Sequence, residues 1–371
     1  MQEQTIDLIG STPGTRVQLR VLHFGQPGPG PRVTIQAALH ADEVPALLVA
    51  QQLRRQLQAL EDAGHLQAEV RLLPLANPLG LAQQLMGQHQ GRYALRDGVN
   101  FNRGYSDLAA AAAQALQDRL GDDEHANTQL ARAALQAAAD GLPATDATQD
   151  LKRRLLQLSA ASDIVLDLHC DSDAVMHLYA LTPHRELAVE LGALLGADAV
   201  LLATDSGDGP FDEACSTPWL KLRERFPGHP IALGCFAATV ELRGQCDTDH
   251  AWAERDAAAL IEFLRRRGVV AGATAPLPAV RCEPTPLASS EPLCAPHAGV
   301  LVFHAALGAR LEPGQAVCDL VDVETGAVTA LRAVAGGRLF ARALTRWAEA
   351  GQRVAKIAGT GPARTGKLLS P

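Results

Sequence analysis

The sequence predicts an α/β protein, with a mixed sheet flanked by helices and a smaller all-β, barrel-like domain after it. Three observations carry that expectation. Short apolar runs alternate with longer helical patterns through about residue 270. The texture then turns rich in Pro and Ala at AGATAPLPAVRCEPTP, beginning at Ala271. Beyond it, two similar β-like stretches follow each other. A chain of 371 residues is long enough for two domains and a sizeable core.

In chain order, Val33 to Leu39 reads as a strand and Pro45 to about Leu60 as a helix, with Pro45 suited to a first helical turn. Val70 to Leu75 is the next strand, stopped by the turn signal ANPLG. Ser106 to about Leu142, rich in Ala, Gln and Leu, reads as one or two inserted helices, either a surface excursion or a lid. Ile164 to Leu168, Ala199 to Ala203 and Ala237 to Leu242 are apolar enough for buried strands, and Ala251 to Arg267 is strongly helical. The expected organisation is a catalytic α/β domain over 1–270 with its insertion at about 106–142, a linker over 271–290, a barrel-like β domain over 291–359 and a tail over 360–371.

The β region contains an internal echo. GVLVFHAALGARLEPGQAV from Gly299 and GRLFARALTRWAEAGQRV from Gly337 both begin Gly-x-Leu and reach Gly-Gln-x-Val about fifteen residues on. Two such halves resemble the biotinyl/lipoyl carrier fold, in which the cofactor is attached to a lysine at the hairpin between the halves. No lysine occurs between Lys221 and Lys356, so carrier function is set aside for a structural or site-covering role.

Composition excludes several classes. Nearly half the residues are apolar and about one fifth charged, as in ordinary globular proteins. A net charge of -8 argues against a nucleic-acid partner, which would require a basic face. No apolar run approaches the roughly 18 residues of a membrane span, and MQEQTIDLIGSTPGTRVQLRV lacks the form of a signal peptide. The expectation is a cytoplasmic protein, with a homo-oligomer left open. Seven cysteines without a C-x-x-C pair point to reduced thiols rather than a disulfide framework or a cysteine zinc site.

The chemistry gathers at four places, each at or just beyond an expected strand end, where ligands collect in such sheets. His40 and Glu43, in TIQAALHADEVP, sit on a loop entering a helix and can converge on one point. His169 ends the apolar run of VLDLHCD, where a buried imidazole must find a partner. Together these residues make a His, Glu, His set, which leaves zinc a fourth position for water; Asp167 can then hold an imidazole from behind. Glu241, in TVELRGQ, is a carboxylate at the end of an apolar strand, fit to act as a base for zinc-assisted hydrolysis or to pair with Arg243 or another arginine. Arg92, Arg96, Asn102 and Arg103 crowd the loop GRYALRDGVNFNRGY, suited to an anionic substrate or, more plainly, to a solvated ion-pair loop. PFDEACSTPW, from Pro210, reads as a loop near the pocket or as a surface turn and helix cap.

With these motifs together the sequence resembles the succinylglutamate desuccinylase/aspartoacylase family, a branch related to the M14 zinc carboxypeptidases. The resemblance rests on HADE at 40–43, ANP at 76–78, DGVNFNR at 97–103, DLH at 167–169 and VELRG at 240–244, covers most of the chain to about residue 267, and extends to the β module. It implies a zinc-carboxypeptidase-like fold with one Zn2+ per chain on His40, Glu43 and His169, and Glu241 as general acid/base. It implies that Asn102 and Arg103 bind a substrate carboxylate, and that the carbonyl is polarised by Arg92, whose spacing fits best, or by Arg96. The family usually writes glycines around the histidine; here those positions are Ala38 and Ala41. The implied reaction is amide hydrolysis of a small anionic N-acyl amino acid or similar acid. The competing readings are an M14-type carboxypeptidase acting on peptides, a non-catalytic metal-dependent binding protein, and a thiol hydrolase using Cys170.

Overall fold

The computed structural model describes every residue except Ser11, Pro29, Ser370 and Pro371. The chain divides into two compact units, the first made of Met1–His169, Asp208–Thr239 and Thr248–Pro276, the second of Cys170–Gly207, Val240–Asp247 and Leu277–Pro371.

In the first unit, strands β1 (Gln2–Asp7), β2 (Gln18–Phe24), β3 (Val33–Ala37) and β4 (Val70–Leu73) join the leading parts of β7 (Ile164–Asp171) and β11 (Phe236–Gly244), in the order β1-β2-β4-β3-β7-β11. β1/β2 and β2/β4 are antiparallel, while β4/β3 and β3/β7 are parallel, so the sheet is mixed as expected. Strand β3, VTIQA, is buried at every position, as its central place between two parallel neighbours requires. Because β4, β3 and β7 run the same way, their carboxyl ends share one edge, and Ala37 of β3 pairs in register with Leu168 of β7. That register brings the loop holding His40 to the strand end holding His169.

Helix α1 (Pro45–Asp62) begins with proline at its first turn and buries Ala46, Val49, Ala50, Leu53 and Leu57, one stripe at helical spacing. Beyond it come α2 (Pro78–Leu81) and the small hairpin of β5 (Gln84–Leu85) and β6 (Gln88–His89). The insertion forms two helices, α3 (Ala109–Leu116) and α4 (Glu124–Asp140), followed by α5 (Ala147–Ser159). Asp123 and Asp146 cap α4 and α5 by accepting from the backbone N–H groups of Ala126 and Gln149. Ala112, Leu116, Ala131 and Leu135 of the insertion belong to one buried cluster with Leu151 of α5 and with Phe211 and Trp219 of α7 (Phe211–Arg225). These helices are part of the first unit's core. α8 (His250–Arg266) matches the expected last helix and is capped by Asp249.

In the second unit the end of β11 neighbours β9 (His177–Leu181), then β10 (Ala199–Ala203) and β12 (Thr285–Pro286), with β9/β10 and β10/β12 parallel; α6 (Arg185–Leu195) links β9 to β10. The C-terminal strands form two antiparallel sheets. One runs β13 (Glu291–Cys294), β20 (Arg353–Ala358), β18 (Gly337–Arg342), β15 (Arg310–Leu311), with β8 (Asp173–Ala174) added to β18. The other runs β17 (Val328–Arg332), β16 (Ala316–Val321), β14 (Gly299–Phe303), β19 (Trp347–Ala348). The echo in the sequence has a packing cause: Leu301 and Leu339 of the two Gly-x-Leu motifs, and Val317 and Val354 of the two Gly-Gln-x-Val motifs, are buried in one core.

Candidate metal centre

His40 and Glu43 lie between β3 and α1, in a turn made by Ala38. Ala38 takes a left-handed φ of 59°, the conformation that favours glycine, and is fully buried. Its N–H donates to the carbonyl of Leu168, and the Ala37 carbonyl accepts from Ala76 N–H. The ANP motif acts as a brace here, since Asn77 donates from Nδ2 to the Leu39 carbonyl at 2.9 Å while its Oδ1 caps α2 at Gly80. Gly91 lets the next loop come close. A Cβ there would lie 2.0 Å from the nitrogen of Asp42, and the Gly91 carbonyl accepts from Ala41 N–H.

His40, Glu43 and His169 converge and are all buried, with one potential ligand atom from each lying within 4.8 Å of the others. Nδ1 of His40 is 2.9 Å from Oε1 of Glu43, and Nδ1 of His169 is 2.7 Å from Oε2. The far ring nitrogens are committed elsewhere. His40 Nε2 donates to Asn100 Oδ1 at 2.8 Å, and His169 Nε2 donates to Asp167 Oδ2 at 2.9 Å; Gln36 Nε2 holds the other Asp167 oxygen at 2.9 Å. With both Nε2 atoms donating to oxygens, both Nδ1 atoms face the Glu43 carboxylate, an arrangement that needs a cation or a proton between the groups.

The electrostatics fit that reading. Burial, aided by the Arg92 charge, lowers His40 to about 4, so its ring is neutral near pH 7 and able to ligate. Burial alone would raise Glu43, but the two histidines outweigh it and hold the carboxyl well below its usual value. For His169 burial acts downward, yet Asp167 and Glu43 together hold it well above the usual value. Two imidazoles and one carboxylate, oriented from behind, suit a divalent transition-metal ion. They form a candidate metal-binding triad.

Around it, Arg92 Nη1 is 3.1 Å from His40 Nδ1 and 3.5 Å from Glu43 Oε1. Asn102 Nδ2 is 3.4 Å from His169 Nε2, while Asn102 Oδ1 accepts from Phe211 N–H at 2.8 Å. Arg103 Nη1 donates to the Asn102 carbonyl at 2.6 Å. Arg96 is exposed. Glu241, in the second unit, is half-buried on β11 between buried Val240 and Leu242. VELRG, the end of β11, has a left-handed Arg243 at φ 69° and a Gly244 whose N–H donates to Asp247 Oδ2.

PFDEACSTPW is a helix start. Pro210 precedes α7, and Asp212 is a buried carboxyl raised to about 7 by burial and by the charges of Glu213 and Asp167. Sequence reasoning did not give Asn100 or Gln36 their places behind His40 and Asp167; the only signal was the i, i+2 pairing of Asn100 with Asn102 in one motif. No disulfide joins the seven cysteines, and among the described residues no helix is long and apolar enough to cross a membrane.

A mixed α/β fold thus carries a candidate His, Glu, His metal-binding triad at the carboxyl ends of parallel strands. Residues 29–266 match the succinylglutamate desuccinylase/aspartoacylase catalytic domain, and the chain belongs to that family. Among solved structures, a succinylglutamate desuccinylase/aspartoacylase family protein from Shewanella amazonensis SB2B is 28% identical, with TM-score 0.85 over 96% of this chain and 98% of that one. A related protein from Shewanella frigidimarina NCIMB 400 is 24% identical, with TM-score 0.83 over 96% and 97%. The product-bound ectoine utilization protein EutE (DoeB) from Ruegeria pomeroyi, at 16% identity and TM-score 0.67 over 96% and 94%, shares the fold. No curated protein matches the sequence.

Proposed function

We propose that the protein is a zinc-dependent deacylase that hydrolyses the amide bond of a small N-acylated amino acid or related carboxylate. The observation that carries this reading is the turning of both histidine Nδ1 atoms onto the Glu43 carboxylate while Asn100 and Asp167 hold the far nitrogens. His40, Glu43 and His169 would hold the zinc, which when bound supplies Lewis acidity and brings the pKa of a water to about 7.

The chain's own residues do the remaining work. Glu241 takes a proton from the attacking water and returns it to the departing amine. Arg92, whose Nη1 already lies beside His40 and Glu43, donates to the carbonyl oxygen as negative charge develops there. Asn102 and Arg103 hold the substrate carboxylate and so fix the amide for attack. The family membership supports these roles. Amine release from a panel of N-acyl amino acids, compared with release of C-terminal residues from peptides, tests the reading. Turnover of peptides alone would replace it with a carboxypeptidase.

A further inference from the structure

Lys152 lies outside every motif of the sequence, yet it meets the turn that carries Asn102 and Arg103. From α5 its Nζ donates to the carbonyl of Asn100 at 3.0 Å and to the carbonyl of Arg103 at 2.7 Å. Within the turn, Arg103 N–H reaches the Asn100 carbonyl over a long 3.4 Å, and Asn102 N–H donates to Asn100 Oδ1 at 2.8 Å. One ammonium therefore gathers both ends of a four-residue segment that lacks a regular ladder. The same Nζ lies over the Tyr105 ring, 5.6 Å from its centroid. The helix is a firm base, because Leu151, Leu155 and Leu156 are buried in the core and Asp150 accepts from the backbone of Ile9.

We propose that Lys152 is a positioning residue for the carboxylate-binding turn Asn100–Arg103, acting through its two bonds to the carbonyls at the ends of that turn. The inference rests on the reading of Asn102 and Arg103 as the carboxylate-binding pair. With both carbonyls drawn to α5, the turn keeps one conformation, in which Asn100 Oδ1 also accepts from Asn102 N–H at 2.8 Å. Without the ammonium, two carbonyls lose charge-assisted partners and the turn samples other conformations before substrate arrives. That cost falls on ground-state binding of the carboxylate, not on the charge that forms during reaction.

The test uses Lys152→Met, which keeps the stem, and Lys152→Arg, which keeps charge and donors. In zinc-loaded protein, Lys152→Met should raise KM for an N-acyl amino acid about tenfold while kcat stays within about threefold, and Lys152→Arg should recover most of the loss. In metal-free protein, amide exchange of residues 100–104 should quicken about tenfold in Lys152→Met and little elsewhere. Unchanged KM together with unchanged exchange in that segment would overturn the proposal, as would a kcat loss matching the KM change. If Lys152→Met does not fold, Lys152→Gln takes its place in both arms. A wild-type protein that hydrolyses no N-acyl acid would sink the functional reading alone, and the exchange arm would still decide whether Lys152 holds the turn.

Discussion

Asp167 and His169 stand two residues apart on β7, and Oδ2 of the first accepts from Nε2 of the second at 2.9 Å. Alternation along a strand puts positions i and i+2 on one face, so the motif DLH places a carboxylate behind an imidazole through strand geometry alone. Such partners fix the ring and its tautomer. Asp167→Asn should therefore weaken metal affinity about 10- to 100-fold with the fold intact, measured by competition with a chromophoric chelator. Affinity equal to wild type would show that Asp167 does not orient the ligand.

Glu241 is assigned to proton transfer and not to the metal. Glu241→Gln should keep its metal and fold and lose roughly 10² to 10⁴ in kcat, the usual scale for a general acid/base. Metal analysis beside steady-state rates checks this, and either lost metal or an unchanged rate contradicts the role.

Arg103 and Arg92 should fail in different ways. Arg103→Ala should mainly raise KM, since a charge-assisted hydrogen bond to a carboxylate is worth about 1.5 to 3 kcal/mol. Its effect should shrink on the amide analogue of the substrate. Arg92→Ala should mainly lower kcat, because the oxyanion charge it meets develops only as water adds to the carbonyl. Equal losses on acid and amide for Arg103→Ala would remove the carboxylate from its account.

A pH effect on stability arises far from the motifs, in the second unit. Burial lowers His177 to about 4, and the ring is fully enclosed beside Tyr179 and Phe340. The unfolded chain, at about 6.5, binds this proton more readily than the folded one between pH 4 and 6.5, so stability is full above that window and falls as pH drops through it. The contribution is at most about 3 kcal/mol. In denaturant titrations of metal-free protein, His177→Gln should show a shallower loss over this window. His40, lowered likewise, leaves its own slope in both proteins. Parallel curves would mean that His177 is protonated in the folded state.

Much of this was legible because the relevant residues obey short periods. The buried run of β3, the proline-led α1 and the capped α8 follow from local pattern, and the triad follows from strand ends that share an edge. Strand β1 was not legible, since QEQTID is almost wholly exposed and carries no apolar alternation. Asn100, Gln36 and Lys152 were hidden for another reason: each acts through a partner distant in the sequence, and only the place of Asn100 two residues before Asn102 hints at any of them. The left-handed Ala38 is a case of tertiary context holding a residue where propensity would put glycine.

The most direct measurement is amine release from N-acyl amino acids by protein stripped with a chelator and then reconstituted with zinc. Zinc-dependent deacylation predicts no turnover in the stripped protein, recovery at about one zinc per chain, and no recovery in His40→Ala or His169→Ala. Undiminished turnover after stripping, or a reconstituted protein that binds zinc through the triad and hydrolyses none of the panel, would contradict it.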